Sequence, residues 1–223
     1  MASIFKSSIG KKLIMSISGL FLILFITLHM CLNLTYVFDP TSTVFAGVCE
    51  FMSLGIIKVI VPVLAAGFII HIIYALVLTI SNRQARGSVR YAVSNKAATD
   101  SWSARNMFVL GLIVLLGIAL HLSHFWANMQ LKEFMGQAPD DVYGLMTDTF
   151  ASPLITCLYV VWFAALWFHL THGFWSALQT VGWNNQIWLK RWKWICGVYV
   201  TLILGGFALI AVYACAKANG LIC

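Results

Sequence analysis

Charge is what this chain has least of. Aspartate, glutamate, lysine and arginine together make up 9% of its residues and hydrophobic types 61%, whereas about a quarter of a soluble domain is charged. That balance excludes a soluble globular fold and leaves an integral membrane protein. Cysteines are unpatterned as well. Cys31, Cys49, Cys157, Cys196, Cys215 and Cys223 form no C-x-x-C or C-x-x-C-H motif, which excludes covalent haem attachment and leaves them as small apolar packing residues. No glycine-rich nucleotide loop and no nucleophile-base constellation occurs, and the loops on the basic side are too short to hold another domain.

What is present is a succession of uncharged stretches, at residues 13–38, 59–82, 106–131, 149–189 and 194–216. Crossing ~30 Å of hydrocarbon takes about 20 helical residues, so each stretch supplies one membrane helix. The fourth is too long for one helix and too short for two; its surplus near 182–189, with Trp183 and Trp188, reads as an interfacial segment in the aromatic belt. The expectation is an all-α, single-domain bundle over residues 1–223, with helices at about 13–38, 59–82, 106–131, 152–180 and 194–216. Pro62 and Pro153 fall in first turns. The first apolar run is longer than the 7–15 residues of a signal-peptide core and carries His29, so it reads as a retained helix.

Orientation follows from the basic residues. Lys6, Lys11, Lys12, Arg83, Arg86, Arg90, Lys96, Arg105, Lys190, Arg191 and Lys193 fall on one side of the five helices, eleven of the fourteen in the chain. The other side holds Lys58, Lys132 and Lys217 with every acid except Asp100. By the positive-inside rule the N-terminus is cytoplasmic and the C-terminus outside. The net charge of +7 then reflects topology and the cytoplasmic lipid surface, not nucleic-acid binding.

All six histidines lie inside the uncharged stretches. An imidazole in hydrocarbon is costly unless its nitrogens are engaged, so each is a functional candidate. At ~1.5 Å per residue from the basic end, His29 lies about 25 Å deep and His121 and His124 roughly 24 and 28 Å, while His71 lies about 17 Å and His169 and His172 about 10–20 Å. Helices one and three thus supply an outer layer, and helices two and four an inner one. Two axial imidazoles per iron make a six-coordinate, electron-transferring b haem, and a four-helix core suits such a cofactor. The members of the pairs His121/His124 and His169/His172 are three residues apart and share a face, so depth does not choose between them. A single membrane histidine can also simply hydrogen-bond a neighbouring helix.

The segments FITLH at His29, IIHIIYAL at His71, HLSHFWANMQ and FHLTHGFWS, on the first four of five helices, resemble the dihaem cytochrome b membrane subunit of succinate:quinone oxidoreductases, the succinate dehydrogenase and fumarate reductase family. The resemblance spans the whole chain. It implies that the first four helices enclose two stacked b haems, with iron ligands His71 and His169 in the inner layer and His29 and His124 in the outer, leaving His121 and His172 as alternatives. It also implies a subunit of the bacterial cytoplasmic membrane that anchors an FAD-bearing flavoprotein and an iron–sulfur subunit, lacks dicarboxylate chemistry of its own, and passes electrons to quinone. Menaquinone as the quinone and a dimer of the three-subunit complex follow from the resemblance alone.

Quinol oxidation needs a proton acceptor by an apolar pocket. Asp39 and Glu50 lie near the outer ends of helices one and two, and Glu50 is the preferred candidate, with a solvated loop carboxylate as the plain alternative. Ser16, Arg83, Arg86 and Arg105 are candidates for the inner haem propionates, since a guanidinium grips a carboxylate in a bidentate fork; enforcing topology or meeting lipid phosphate is the plain alternative for the arginines. Some dihaem members carry a glutamate just before the fourth-helix histidine. Here Leu166, Trp167 and Phe168 stand there, so electrogenic turnover is the expectation. Cytochrome b subunits of hydrogenases or formate dehydrogenases share the dihaem design. A histidine-box di-iron oxidase or desaturase calls for about eight clustered histidines, and this chain has six and no His-His pair. A proton-coupled transporter calls for carboxylates inside the helices, and the stretches hold none.

Overall fold

The computed structural model describes residues 7–39, 43–86, 101–183 and 185–222; Lys6, Arg90, Lys96, Asp100 and Cys223 lie outside them. The order of elements is α1 (Ser8–Phe38), α2 (Thr43–Met52), α3 (Gly55–Arg86), α4 (Trp102–His121), a π-helical segment (Leu122–Leu131) continuing into α5 (Lys132–Phe134), α6 (Val142–Phe150), α7 (Pro153–Thr180) and α8 (Gln186–Ala218). Five spans are long and apolar enough to cross a bilayer: α1, α3, α4 through α5, α7 and α8. The chain is an all-α, multi-pass membrane bundle. Only helices or closed barrels keep every backbone polar group paired in hydrocarbon.

The helices outrun their apolar stretches because side-chain caps, not charges, end them. Ser7 Oγ accepts from the Gly10 N–H at 3.0 Å, so α1 begins before Lys11. Ser101 caps α4 through the Ala104 N–H at 3.1 Å. Asn185 accepts from the Trp188 N–H at 2.7 Å and starts α8 eight residues ahead of the expected 194. The second half of the expected interfacial segment is therefore helix: after a turn at Gly182, with φ +104°, residues 186–189 form the first turn of α8. Trp183 and Trp188 pack on Trp192 with centroids at 5.1 and 5.7 Å. Pro62 is a second correction, since α3 starts at Gly55 and Pro62 is internal to it. There it removes the N–H that would meet the Lys58 carbonyl.

α7 is the hub, packed on α8, α4 and α1, while α1 also packs on α3 and α8. By contrast α3 leans on α1 and makes no comparable contact with α4 or α7. The core is aromatic at the acidic end, where Tyr36, Phe45, Phe150, Tyr159 and Phe163 are buried together, and aliphatic in the middle, around Val114, Leu166, Val200 and Leu204. Polar groups tie helices across it: Thr27 Oγ1 meets the Tyr199 hydroxyl at 2.7 Å, and Tyr36 meets Thr147 at 3.0 Å.

α4 and α7 approach closely at Gly117. A Cβ at Gly117 would fall 2.0 Å from the Trp162 ring, and the Trp162 indole N–H donates to the Val114 carbonyl at 3.2 Å. Such small-residue contacts drive helix association in lipid. Gly117→Ala is expected to cost about 1–3 kcal/mol by overpacking, read as a lower unfolding midpoint in detergent, and to cost much less in a Trp162→Ala background.

Candidate functional site

Two histidine pairs form inside the bundle. Toward the basic end His71 of α3 faces His169 of α7, ring centroids 6.4 Å apart. Toward the acidic end His29 of α1 faces His121, the last residue of α4, at 5.8 Å. Gly19 lies against His71 and Gly111 against His169, so that added Cβ atoms would sit 3.3 and 3.7 Å from the respective Cε1 atoms. His29 is ten residues beyond Gly19 and His121 ten beyond Gly111, which sets the two pairs about 15 Å apart along the bundle.

The inner pair has a defined polar shell. Ser18 Oγ donates to the Met15 carbonyl at 3.0 Å and lies 3.3 Å from His71 Nδ1. A hydroxyl has one hydrogen, so with it on Met15 the Nδ1–H of His71 donates to Ser18 and its Nε2 carries the free lone pair. That is how ligating imidazoles are oriented by a neighbour. His169 Nδ1 is buried with no hydrogen-bond partner, the state of a nitrogen awaiting one.

In the outer layer the structure separates the two candidates on the third span. His121 is packed by Phe125 and Trp162, at 5.2 and 6.1 Å, and its ring meets His29. His124 turns instead to Tyr159, with Nδ1 3.1 Å from the hydroxyl and the rings stacked at 5.9 Å. The cause is the π-helical segment that begins at Leu122. Its wider i→i+5 turn rotates His124 away from the face that a regular helix would share with His121. The expectation that paired His29 with His124 thus meets a different geometry, in which the ring beside His29 belongs to His121. Asn33 on α1 adds its amide, which donates to the His29 carbonyl at 2.8 Å and lies 3.4 Å from His29 Nδ1.

The remaining candidates are dispersed. His172 is not in the inner pair; its Nδ1 lies 3.5 Å from Ser101 Oγ and its ring meets Trp175 at 5.1 Å. Ser16 is buried on α1, Arg105 is exposed, and the Arg83 guanidinium lies over the Phe108 ring at 5.1 Å, reaching from α3 to α4. The side chain of Arg86 lies outside the described residues. Glu50 is exposed on α2. Near it in the sequence, Lys58 pairs with Glu133 at 3.3 Å across the start of α3 and α5, a carboxylate that the sequence reading passed over. Ser18, Gly19, Gly111 and Tyr159 were also missed; the one signal for the glycines was a residue without a side chain on an apolar helix that must pass an imidazole.

These donors come in pairs. Among the described residues no group of three or more His, Cys, Asp or Glu side chains is placed to hold a metal ion, as a di-iron centre or a tetrahedral site requires. A haem needs only two, because the porphyrin supplies four nitrogens. With a metal–nitrogen bond of about 2 Å on each side and about 1 Å from nitrogen to ring centre, axial imidazole centroids stand about 6 Å apart. Both pairs have that spacing, and at the inner pair Gly19, Gly111 and the orphaned His169 nitrogen fit the same group.

The tie between His124 and Tyr159 is testable by a double-mutant cycle of Tyr159→Phe and His124→Ala unfolded in detergent. A coupling of about 0.6–2 kcal/mol is expected for a bond between membrane helices. No family model, curated protein or solved structure matches the chain.

Proposed function

We propose that the chain is a dihaem cytochrome b, the membrane anchor and electron-transfer subunit of a succinate dehydrogenase or fumarate reductase complex. The observation that supports it best is the pair of two-histidine sites at different depths, neither joined by a third His, Cys, Asp or Glu donor among the described residues. On this reading His71 and His169 hold the inner haem and His29 and His121 the outer. His121 replaces His124 as the ligand because the π-helical turn gives His124 to Tyr159. Bound b haem supplies one-electron transfer at a potential set by axial ligands and burial.

The residues of the chain do the rest. Ser18 holds the His71 ring with its Nε2 lone pair free. Gly19 and Gly111 keep the walls open beside the inner rings, and Trp162 and Phe125 fix the His121 plane. The basic end, with Arg83, Arg105, Lys190 and Arg191, docks the iron–sulfur subunit that carries electrons from the flavoprotein, and Arg83 and Ser16 are the candidates for the inner propionates. On the acidic side quinone exchanges protons with a carboxylate, Glu50 or the partly shielded Glu133. The N-terminus faces the cytoplasm of a bacterial cell.

Isolation of the chain with its flavoprotein and iron–sulfur partners tests the reading: succinate is expected to reduce low-spin b-type centres, visible in a reduced-minus-oxidised spectrum. His169→Ala is expected to remove the centre nearer the partners and cut succinate-driven reduction of the other more than tenfold, while dithionite still reduces it. Absence of b-type bands in the intact complex overturns the proposal. Glu50→Gln and Glu133→Gln, compared by the pH dependence of quinol oxidation, identify the carboxylate: the true acceptor slows turnover at least tenfold and flattens the profile.

A further inference from the structure

Two hollows of about 400 and 320 Å³ adjoin on the outer surface of the bundle, sharing Trp167, Lys193 and Gly197. The first is a groove between α7 and α8, continued by Trp194, Val198 and Leu202. The second carries the polar side chains of Ser101, Ser103, Thr171 and His172 on a wall otherwise formed by Trp167 and Trp175. Lys193 stands where they meet, its ammonium 4.5 Å from the Trp175 ring centre. Among the described residues no carboxylate pairs with it: the ion pairs found, Lys58–Glu133 and Lys132–Asp140, both belong to the acidic side.

Depth narrows the occupant. α8 has 33 residues, about 50 Å of helix against ~30 Å of hydrocarbon, so a centred helix overhangs by about 10 Å at each end. Lys193, seven residues beyond Gln186, therefore stands about 10 Å along α8, at the boundary between headgroups and acyl chains. Trp183, Trp188 and Trp192 cluster near that level, as an interfacial belt does. A cation at headgroup depth, flanked by hydroxyls on one side and opening into an apolar furrow on the other, matches one amphiphile. Basic pockets between membrane helices bind anionic headgroups in this way.

We infer that the α7–α8 groove is a specific site for one anionic glycerophospholipid of the basic-side leaflet. Its phosphate pairs with Lys193, near His172 and the Ser101 and Ser103 hydroxyls, and one acyl chain lies along Trp167, Val198 and Leu202. Trp167 is held for this by its indole N–H, which donates to Thr201 Oγ1 at 2.9 Å.

Native mass spectrometry of the full chain with its bound cofactors tests the site, with phosphatidylglycerol and phosphatidylcholine of identical acyl chains as probes. One phosphatidylglycerol per chain is expected to survive detergent removal, at least tenfold over phosphatidylcholine. Lys193→Gln abolishes the preference, and Lys193→Arg and the neighbouring Lys190→Gln keep it. Leu202→Trp, which fills the furrow and leaves the charge, lowers retention at least threefold. Equal retention of the two lipids, wild-type retention by Lys193→Gln or by Leu202→Trp, an equal loss in Lys190→Gln, displacement by millimolar inorganic phosphate alone or by an equimolar naphthoquinone would each overturn the inference.

Discussion

An imidazole nitrogen withdrawn from water into hydrocarbon has to be satisfied by something inside the protein, and this bundle carries six such rings. Four of the rings meet in two pairs, His71 with His169 and His29 with His121. The other two are occupied by hydroxyls, His124 by Tyr159 and His172 by Ser101. What distinguishes the inner pair is incompleteness. His169 Nδ1 has no partner, and His71 is oriented by Ser18 so that its second nitrogen is left over. On the proposed reading that incompleteness is what the inner haem completes.

The helices arrange themselves accordingly. α3 carries His71 and packs mainly on α1, meeting α7 through the His71–His169 ring contact and α4 through Arg83 over the Phe108 ring. α4 and α7, which carry His121 and His169, are clamped together, with Gly117 admitting the Trp162 ring. Trp162 serves twice, as the wedge that fixes the crossing of α4 and α7 and as the plate against which His121 lies. Stability of the scaffold and orientation of the outer site therefore depend on one side chain.

Much of this was legible in the sequence. Hydrocarbon leaves few structural options, so uncharged runs of helical length gave the fold class and the five spans, and the depth of each histidine gave two layers on four helices. Helix ends were not legible, because Lys11, Lys12 and the Lys190–Lys193 run mark where the membrane stops, while Ser7 and Asn185 decide where the helices start. Nor was it legible which of His121 and His124, placed on one face by a regular helix, lies beside His29. It depends on a π-helical turn for which the residues carry no pattern, and on Tyr159, whose relation to His124 exists only after α4 and α7 have packed.

The most direct measurement counts haem per polypeptide by pyridine haemochrome assay in the purified wild-type chain, in His121→Ala and in His124→Ala. Two, one and two b haems are the numbers that the paired geometry predicts. Two haems retained in His121→Ala with one lost in His124→Ala would contradict the outer pair, and no haem in the wild type would contradict the account as a whole.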